Sequence, residues 1–207
     1  MRRSEISRST RETEIALTLE LDGTGKSEID TGCGFLNHML TLFAAHGRFD
    51  LSVKCRGDYD VDFHHTTEDV GICLGLAFRE ALGDKRGITR YGNMILPMDE
   101  ALVMTAVDFS GRSFLVWDVE IRSEKVGDFD TELAEEFWRA FAGNSMSTIH
   151  FRQLSGKNAH HIIECAFKSA ARSISQAVRI NPETASEIPS TKGVIDRKRH
   201  TSELQSR

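Results

Sequence analysis

The sequence predicts an α+β fold, an internal duplication of a β-β-α-β-α unit with sheets packed on helices. The pattern His-His-x-x-Glu occurs twice, at His64–Glu68 and at His160–Glu164, with an offset of 96 residues. The segments around each copy follow a similar order of alternating and helical hydrophobic patterns. A pattern that recurs at a fixed offset, inside matching elements, is typical of a duplicated structural unit.

In the first copy, residues 14–22 alternate between apolar and polar side chains, which predicts a half-buried strand. The sequence DGTGK that ends it predicts a hairpin turn into a second strand at 27–31. Apolar residues then recur at helical spacing up to Gly47. An alternating strand at 49–55 follows, and the first histidine pair opens a helix that ends at Gly83.

The second copy repeats this plan. Strands are predicted at 101–109 and 113–121 around the turn SGR, then a helix at 132–143, a strand at 147–154 and the second histidine-pair helix. The two halves are predicted to form one compact domain. Their predicted ranges are 1–92 and 93–195, followed by a charged, patternless and therefore disordered tail at 196–207.

Composition narrows the class of protein. A net charge of −5 argues against a nucleic-acid partner, and the absence of a long apolar run argues against a membrane span. The first residues lack the apolar segment of a secretion signal. The four cysteines contain no CxxC pair, which is typical of reduced thiols. We expect a cytoplasmic protein.

The histidine pairs carry metal-binding chemistry. Successive residues of a helix rotate by about 100°, so His64 and Glu68 share one face and His65 also neighbours Glu68. The two histidines of a pair diverge and cannot comfortably bind one ion together. Each can bind a different ion, and the glutamate can reach either. Alone, a histidine pair is usually a surface feature, but two identical pairs in matching repeats favour metal binding.

The companion helices add one candidate ligand each: His38 in the first copy, and Glu136 at the matching place 98 residues later. Nitrogen and oxygen donors without thiolate suit manganese, iron or zinc. A set that could fill six positions favours manganese over tetrahedral zinc. Because the histidines diverge, we expect a neighbouring subunit to complete each metal site.

Several longer motifs resemble the imidazoleglycerol-phosphate dehydratase family of histidine biosynthesis, over residues from about 8 to 195. The motifs are GFLNHML, DFHHTTEDVGICLG, PMDEAL, GKNAHHIIECAFKSAAR and PSTKGV. The resemblance implies a ribosomal S5 domain 2-like fold, two manganese ions (Mn²⁺) per active site and a small-molecule phosphate substrate. It also implies a hollow homo-oligomer of roughly 24 subunits, built from trimers with octahedral symmetry.

The resemblance also implies the site residues. The implied metal ligands are His38, His64, His65, Glu68, His160, His161 and Glu164. Glu136 joins them as a carboxylate where many members carry histidine. The implied substrate contacts are Glu12, His38, His64, His65, Arg90, Arg112, Lys168, Ser190, Thr191 and Lys192, the basic and hydroxyl side chains being suited to phosphate. Thr41 and Leu42 stand where members often carry Asp and a polar residue, which removes a hydrogen bond near the site or a substrate contact.

The implied reaction is dehydration of imidazoleglycerol phosphate to imidazole acetol phosphate. The leaving hydroxyl is on the carbon attached to the imidazole ring, and no carbonyl can stabilise an enolate. The ring must supply the electrons as an imidazolate, which gives a diazafulvene, then an enol, then the ketone. Metal ions on the ring nitrogens would favour the imidazolate. Glu12 is the expected acid and base at the glycerol carbons, and Glu68 or Glu164 could move ring protons.

Two other classes stay open from the residues alone. A dinuclear metallohydrolase, such as a phosphatase, would also combine His and Glu ligands with phosphate-binding arginines. It usually bridges its metals with Asp, and neither His-His-x-x-Glu pattern contains one. An assembly protein with structural metals is the alternative that is not an enzyme, although it would not need a phosphate-binding cluster.

Overall fold

The structure is a computed structural model that describes residues 2–195, so the predicted tail at 196–207 lies outside the described residues. The elements of the first half are β1 (Arg3–Ser9), β2 (Thr13–Glu20), β3 (Ser27–Asp30), α1 (Gly34–Gly47), β4 (Asp50–Gly57) and α2 (His64–Leu82). Those of the second half are β5 (Tyr91–Met98), β6 (Ala101–Asp108), β7 (Phe114–Asp118), β8 (Lys125–Val126), β9 (Phe129–Asp130), α3 (Leu133–Ser145), β10 (Thr148–Ser155) and α4 (Ala159–Val178).

Each half forms a four-stranded sheet, with the strand orders β1-β2-β4-β3 and β5-β6-β10-β7. The two orders match strand for strand, and in each sheet the last strand pairs in parallel with its neighbour. Strands β8 and β9 form a small separate hairpin between β7 and α3. The predicted α+β class, with sheets packed on helices, is confirmed.

Each unit begins with a strand that the sequence patterns did not predict, so the observed order is β-β-β-α-β-α, with the small β8–β9 hairpin inserted before α3 in the second unit. The missing strand of the first unit is β1, whose sequence RSEISRS contains Ile6 as its one apolar residue. That pattern is too weak to predict a strand by alternation. The missing strand of the second unit, β5, has the sequence YGNMILPM, in which apolar residues run together instead of alternating.

The predicted hairpin between β2 and β3 is wrong. Strand β4 lies between them, and β3 pairs with β4 in parallel. Parallel strands need a crossover connection, and α1 supplies it. The carboxylate of Asp50, at the start of β4, accepts hydrogen bonds from the backbone N–H groups of Thr24, Gly25 and Lys26 at 2.7 to 3.0 Å. The same correction applies to β6 and β7, which are separated by β10.

The four helices lie between the two sheets. Each helix packs on the sheet of its own half, and across the halves α1 packs on α4 and α2 on α3. The aromatic core crosses this boundary, with ring centroids 6.0 Å apart for Phe43 and Trp138 and 5.3 Å apart for Phe78 and Phe141. Both halves therefore share one hydrophobic core.

Helices α2 and α3 approach closely because α2 carries glycine at the contact. A Cβ atom on Gly71 would lie 2.7 Å from the carbonyl oxygen of Phe137, and one on Gly75 would lie 2.6 Å from that of Phe141. These contacts advance in the same direction along both helices, so α2 and α3 run parallel. The histidine pair of α2 thus lies at the same end as the first turn of α3. Within residues 2–195, no helix has the length and apolar character needed to cross a lipid bilayer.

Candidate metal centre

Three predicted ligands from the two halves meet in space. Nε2 of His38, on α1, lies 3.2 Å from Oε2 of Glu164 on α4, and Nε2 of His160 lies 3.0 Å from the same oxygen. The ligand atoms of the three residues all lie within 4.8 Å of one another. Two imidazoles and a carboxylate suit a divalent cation that prefers nitrogen and oxygen donors.

The carboxylate of Glu164 is buried, and Lys168 lies one helical turn away with Nζ 2.5 Å from Oε1. Burial by itself raises the pKa of Glu164, but the hydrogen bond and charge of Lys168, with the hydrogen bonds from His38 and His160, outweigh it and lower the pKa. Glu164 therefore stays an anion near neutral pH, which is the form that binds a cation.

The adjacent histidines diverge, as helix geometry predicts. The rings of His160 and His161 are 6.3 Å apart at 82°, and those of His64 and His65 are 6.1 Å apart at 80°. The side chain of Asn158 accepts a hydrogen bond from the N–H of His161, so it caps α4 and places the second pair in the first turn.

The second histidine of each pair faces two acidic residues. Nδ1 of His65 lies 2.8 Å from Asp58 and its Nε2 lies 3.8 Å from Glu12. The hydrogen bond with Asp58 is the main cause that raises the pKa of His65.

In the second half, Nδ1 of His161 lies 2.8 Å from Glu100 and its Nε2 lies 3.8 Å from Asp99. The hydrogen bond with Glu100 raises the pKa of His161. The pKa of Glu100 is lowered to about 2, chiefly by that bond and then by the backbone N–H groups of Asn158 and Lys157.

No sequence pattern singled out Asp58 or Glu100 as site residues, although both contact a histidine of the two pairs. A signal for Glu100 was present, since it directly precedes β6 as Glu12 directly precedes β2 in the matching unit.

The ligand set of the first half does not gather in the same way. Among residues 2–195, His38, His160 and Glu164 are the one set of three or more potential metal ligands whose ligand atoms all lie within 4.8 Å of one another. Glu136, the repeat counterpart of His38, instead lies 3.7 Å from Arg139. His64 and Glu68 are half-buried at the start of α2.

Most of the predicted phosphate contacts meet in a second cluster. Arg90 donates two hydrogen bonds to Asp108, at 2.7 and 3.2 Å, and one to the carbonyl of Pro189 at 3.0 Å. Arg112 lies 3.9 Å from the same Asp108, and its side chain is 67% exposed. Ser190 accepts a hydrogen bond from the backbone of the exposed Lys192.

Of the remaining predicted phosphate contacts, Thr191 lies in the second cluster and Lys168 lies in the first. Thr191 is exposed and lies between Ser190 and Lys192, whereas Lys168 lies with Glu164 at the first cluster.

The two clusters lie towards opposite ends of α4. The backbone N–H of Arg90 donates to the carbonyl of Ala177 in the last turn, and Ala177 follows Glu164 by 13 residues. At a rise of 1.5 Å per residue, these two positions are about 20 Å apart along the helix axis.

Comparison with known proteins decides the family. Residues 31–174 match the family model for imidazoleglycerol-phosphate dehydratase. Imidazoleglycerol-phosphate dehydratases of Xanthobacter autotrophicus and Azorhizobium caulinodans are each 57% identical over 195 residues, which cover 94% of this chain and 99% of the relative. The chain belongs to the imidazoleglycerol-phosphate dehydratase family.

Solved structures of dehydratases agree with this assignment. The Staphylococcus aureus enzyme is 41% identical, with a TM-score of 0.79 over 86% of this chain and 99% of that one. A Pyrococcus furiosus structure is 40% identical, with a TM-score of 0.79 over 91% and 99%. As a member of the dehydratase family, the chain is an enzyme of the hydro-lyase class.

The range matched by the dehydratase family model contains both histidine pairs, His38 and Arg112, whereas Glu12 and Lys192 lie outside it. The side chains of Thr41 and Leu42 both make contacts within the fold. The hydroxyl of Thr41 donates to the carbonyl of Asn37 within α1, and Leu42 packs against the core.

Proposed function

We propose that this enzyme dehydrates imidazoleglycerol phosphate to imidazole acetol phosphate in histidine biosynthesis, with two manganese ions per active site. The observation that carries the proposal is the convergence of His38, His160 and Glu164 in a chain of the dehydratase family. An all-nitrogen and oxygen donor set, with a deprotonated and buried carboxylate, fits manganese well.

The first ion would be held by this three-residue cluster. The second would be held by donors of the other histidine pair, with His64, His65 and Glu68 as candidates and Glu136 as a further carboxylate. His161 would add an imidazole from the second half, since its Nε2 is directed away from its own hydrogen-bonded acid.

The residues support a reaction that the imidazole ring of the substrate drives. Bound manganese would supply Lewis acidity that lowers the pKa of the ring nitrogens. Loss of the ring proton gives an imidazolate, which expels the hydroxyl group, and a proton from an acidic side chain lets it leave as water and leaves a diazafulvene. A base then removes the proton from the next carbon, and the electron pair of that C–H bond forms the double bond of the enol. The electrons of the diazafulvene return to the ring, one ring nitrogen takes up a proton, and the enol becomes the ketone.

Glu12 is the proposed acid and base at the glycerol carbons. Its side chain is 53% exposed in the loop before β2 and lies 3.8 Å from Nε2 of His65. It is thus beside an imidazole that faces outward, and no hydrogen bond among residues 2–195 holds its carboxylate away from a substrate. Glu164 is engaged by three hydrogen-bond partners, so Glu68 is the better candidate for moving a ring proton.

The phosphate of the substrate would bind at the second cluster. Arg112 and Lys192 are exposed, and Arg90 is held next to them by Asp108 and Pro189. Ser190 and Thr191 add hydroxyl groups in the same segment. Arginine forks and hydroxyls suit phosphate oxygens. Lys168 would contact the substrate at the metal end, where Glu164 holds it.

We propose further that each active site is completed by a neighbouring subunit. Within one chain, about 20 Å along the axis of α4 separates Glu164 from Ala177, whose carbonyl accepts from the backbone of Arg90, and a glycerol chain is much shorter than this separation. A second subunit that places its phosphate cluster near these histidines would bring the metal ligands and the phosphate contacts within reach of one substrate molecule. The assembly we propose is a homo-oligomer of roughly 24 subunits built from trimers, working in the cytoplasm.

One incubation tests the function. The purified enzyme is mixed with manganese and imidazoleglycerol phosphate, and the products are followed by the ketone signal and by free phosphate. We expect the ketone, and we expect none from the matched variant His38→Ala. Release of inorganic phosphate would identify a metallohydrolase instead, and no change in the substrate would favour an assembly protein with structural metals.

A further inference from the structure

The second histidine of each pair is held through the same ring nitrogen. Nδ1 of His65 lies 2.8 Å from Oδ2 of Asp58, and Nδ1 of His161 lies 2.8 Å from Oε2 of Glu100. The two acids come from different kinds of segment, since Asp58 directly follows β4 and Glu100 directly precedes β6. The shared feature is therefore the ring geometry and not the repeat position of the acid.

Glu100 is itself held from the other side. Its Oε1 accepts hydrogen bonds from the backbone N–H groups of Lys157 and Asn158, at 3.1 and 2.8 Å, while Oε2 faces His161. One carboxylate thus ties the turn between β5 and β6 to the segment that starts α4. If the carboxylate rotates, it breaks a hydrogen bond with His161 or with the backbone of Lys157 or Asn158. These three donors therefore fix its orientation.

An ionised carboxylate accepts hydrogen bonds and donates none. When the ring of His161 is neutral, its single proton must therefore reside on Nδ1, and the lone pair must reside on Nε2. Nε2 has no hydrogen bond among the described residues, and the nearest acid to it is Asp99 at 3.8 Å. The lone pair on Nε2 is thus the one that a cation can use.

We propose that Glu100 is a positioning residue that holds His161 in the tautomer whose Nε2 binds a metal ion. This inference rests on the proposed metal-dependent function, and it assigns a role to a carboxylate that does not itself touch the ion. Glu12, at the matching place of the first unit, approaches the opposite nitrogen of His65. The glutamate that precedes the second strand of each unit thus has a different role in the two halves.

The tautomer can be measured without metal or substrate. The metal-free full-length protein is labelled with ¹⁵N-histidine and studied by solid-state NMR at a pH where the rings are neutral. His161 is assigned by the signal that its own substitution, His161→Gln, removes. We expect a protonated Nδ1 and an unprotonated Nε2 at His161, and a proton on Nε2 would overturn the proposal.

The variant Glu100→Gln makes the sharper test. Its amide oxygen is expected to stay with the two backbone N–H groups, so the amide NH₂ faces Nδ1, which must then accept. The proton moves to Nε2 and blocks the lone pair. We expect the NMR pattern of His161 to invert and manganese affinity, measured by titration calorimetry, to fall by about 10- to 100-fold.

Two matched variants separate the hydrogen bond from charge. Asp99→Asn removes a negative charge from the same turn, at 3.8 Å from the ring, and should keep both the tautomer and the affinity. In Asp58→Asn the amide can turn its oxygen towards Nδ1, because Oδ1 of Asp58 has no hydrogen-bond partner in the described structure. The tautomer of His65 should therefore persist.

The outcomes remain distinct from those of the proposed function. Unchanged manganese affinity in Glu100→Gln, or an equal loss in Asp99→Asn, would overturn the positioning role even if the wild-type enzyme forms the ketone. A wild-type enzyme that forms no ketone but shows the expected tautomer and affinity changes would overturn the function and leave the role of Glu100 standing.

Discussion

Nε2 of His38 lies 3.2 Å from Oε2 of Glu164, although 126 positions separate the two residues in the chain. His160 approaches the same oxygen from α4 at 3.0 Å. A cation bound by these three groups would join α1 of the first half to α4 of the second. Metal binding is thereby expected to support both catalysis and the packing of the two halves.

Chelation should therefore abolish activity and lower the thermal unfolding temperature, because an ion that binds only the folded state stabilises it. Manganese should restore both properties best, since the donors are nitrogen and oxygen. Activity assays and thermal unfolding of the stripped enzyme, with manganese, zinc or magnesium added back, provide the measurement. Full activity in verified metal-free protein would contradict the prediction.

The substitution Glu12→Gln should lower kcat by about 10²- to 10⁴-fold, because the amide cannot transfer the proton. Manganese affinity and substrate affinity should change little, as the side chain keeps its shape. Steady-state kinetics and calorimetry measure the two effects separately. The matched control is Glu14→Gln, an exposed residue two positions further on. Equal kcat values for the two variants would rule out Glu12 as the acid and base.

The two arginines of the phosphate cluster should respond differently to alanine. Arg90→Ala leaves Asp108 without its two hydrogen bonds, and the Arg90 side chain is 14% exposed. This variant should lose about 1–3 kcal/mol of unfolding free energy as well as substrate affinity. Arg112→Ala should raise KM while stability changes by no more than about 0.5 kcal/mol.

Urea unfolding and KM measurements separate these effects. Arg122→Ala, at an exposed arginine paired with Glu120, is the control for loss of a surface charge. An unchanged KM in both Arg90→Ala and Arg112→Ala would refute the phosphate cluster.

Assembly should depend on the outward-facing histidines. We expect His65→Ala, His161→Ala or chelation to break the particle into smaller oligomers, with trimers as the expected unit, because a metal shared between subunits links ion binding to association. Size-exclusion chromatography with light scattering measures the mass, and circular dichroism checks that the subunits stay folded. The exposed His150 offers a control, His150→Ala. A stripped protein of full mass would show that the metals do not join the subunits.

Asp50 should make stability depend on pH. Hydrogen bonds from the backbone of Thr24 and Lys26 lower its pKa below the ordinary value. A lowered pKa in the folded state means that Asp50 stabilises the fold above its unfolded-state pKa, near 3.9, and that this contribution is lost as the pH falls through the folded-state pKa.

Asp50→Ala should thus be less stable than the wild type at pH 7, and the difference should shrink in acid. Urea unfolding at pH 7 and at an acidic pH below the pKa of Asp50 measures this difference. Asp60→Asn, in an exposed loop, is the control. A difference that stays constant with pH would show that the charge of Asp50 contributes nothing.

The sequence by itself determined the α+β class, the helices that carry the histidine pairs and the identity of the candidate metal ligands. Hydrophobic periodicity is a local property, so helices such as α2 and α4 can be read from it. The duplicated His-His-x-x-Glu pattern is local as well, and helix geometry predicts the divergence of His160 and His161 that the structure shows.

Only the tertiary structure decided which of these residues meet. Contact between His38 and Glu164 depends on the packing of α1 against α4, and the pairing of β3 with β4 depends on a crossover that no local pattern encodes. The contact between Glu100 and His161 is also long-range, since 61 positions separate the two residues in the chain. Such contacts follow from how complete elements fill a shared core, and hydrophobic burial is not directional, so the spacing of residues along the chain could not specify them.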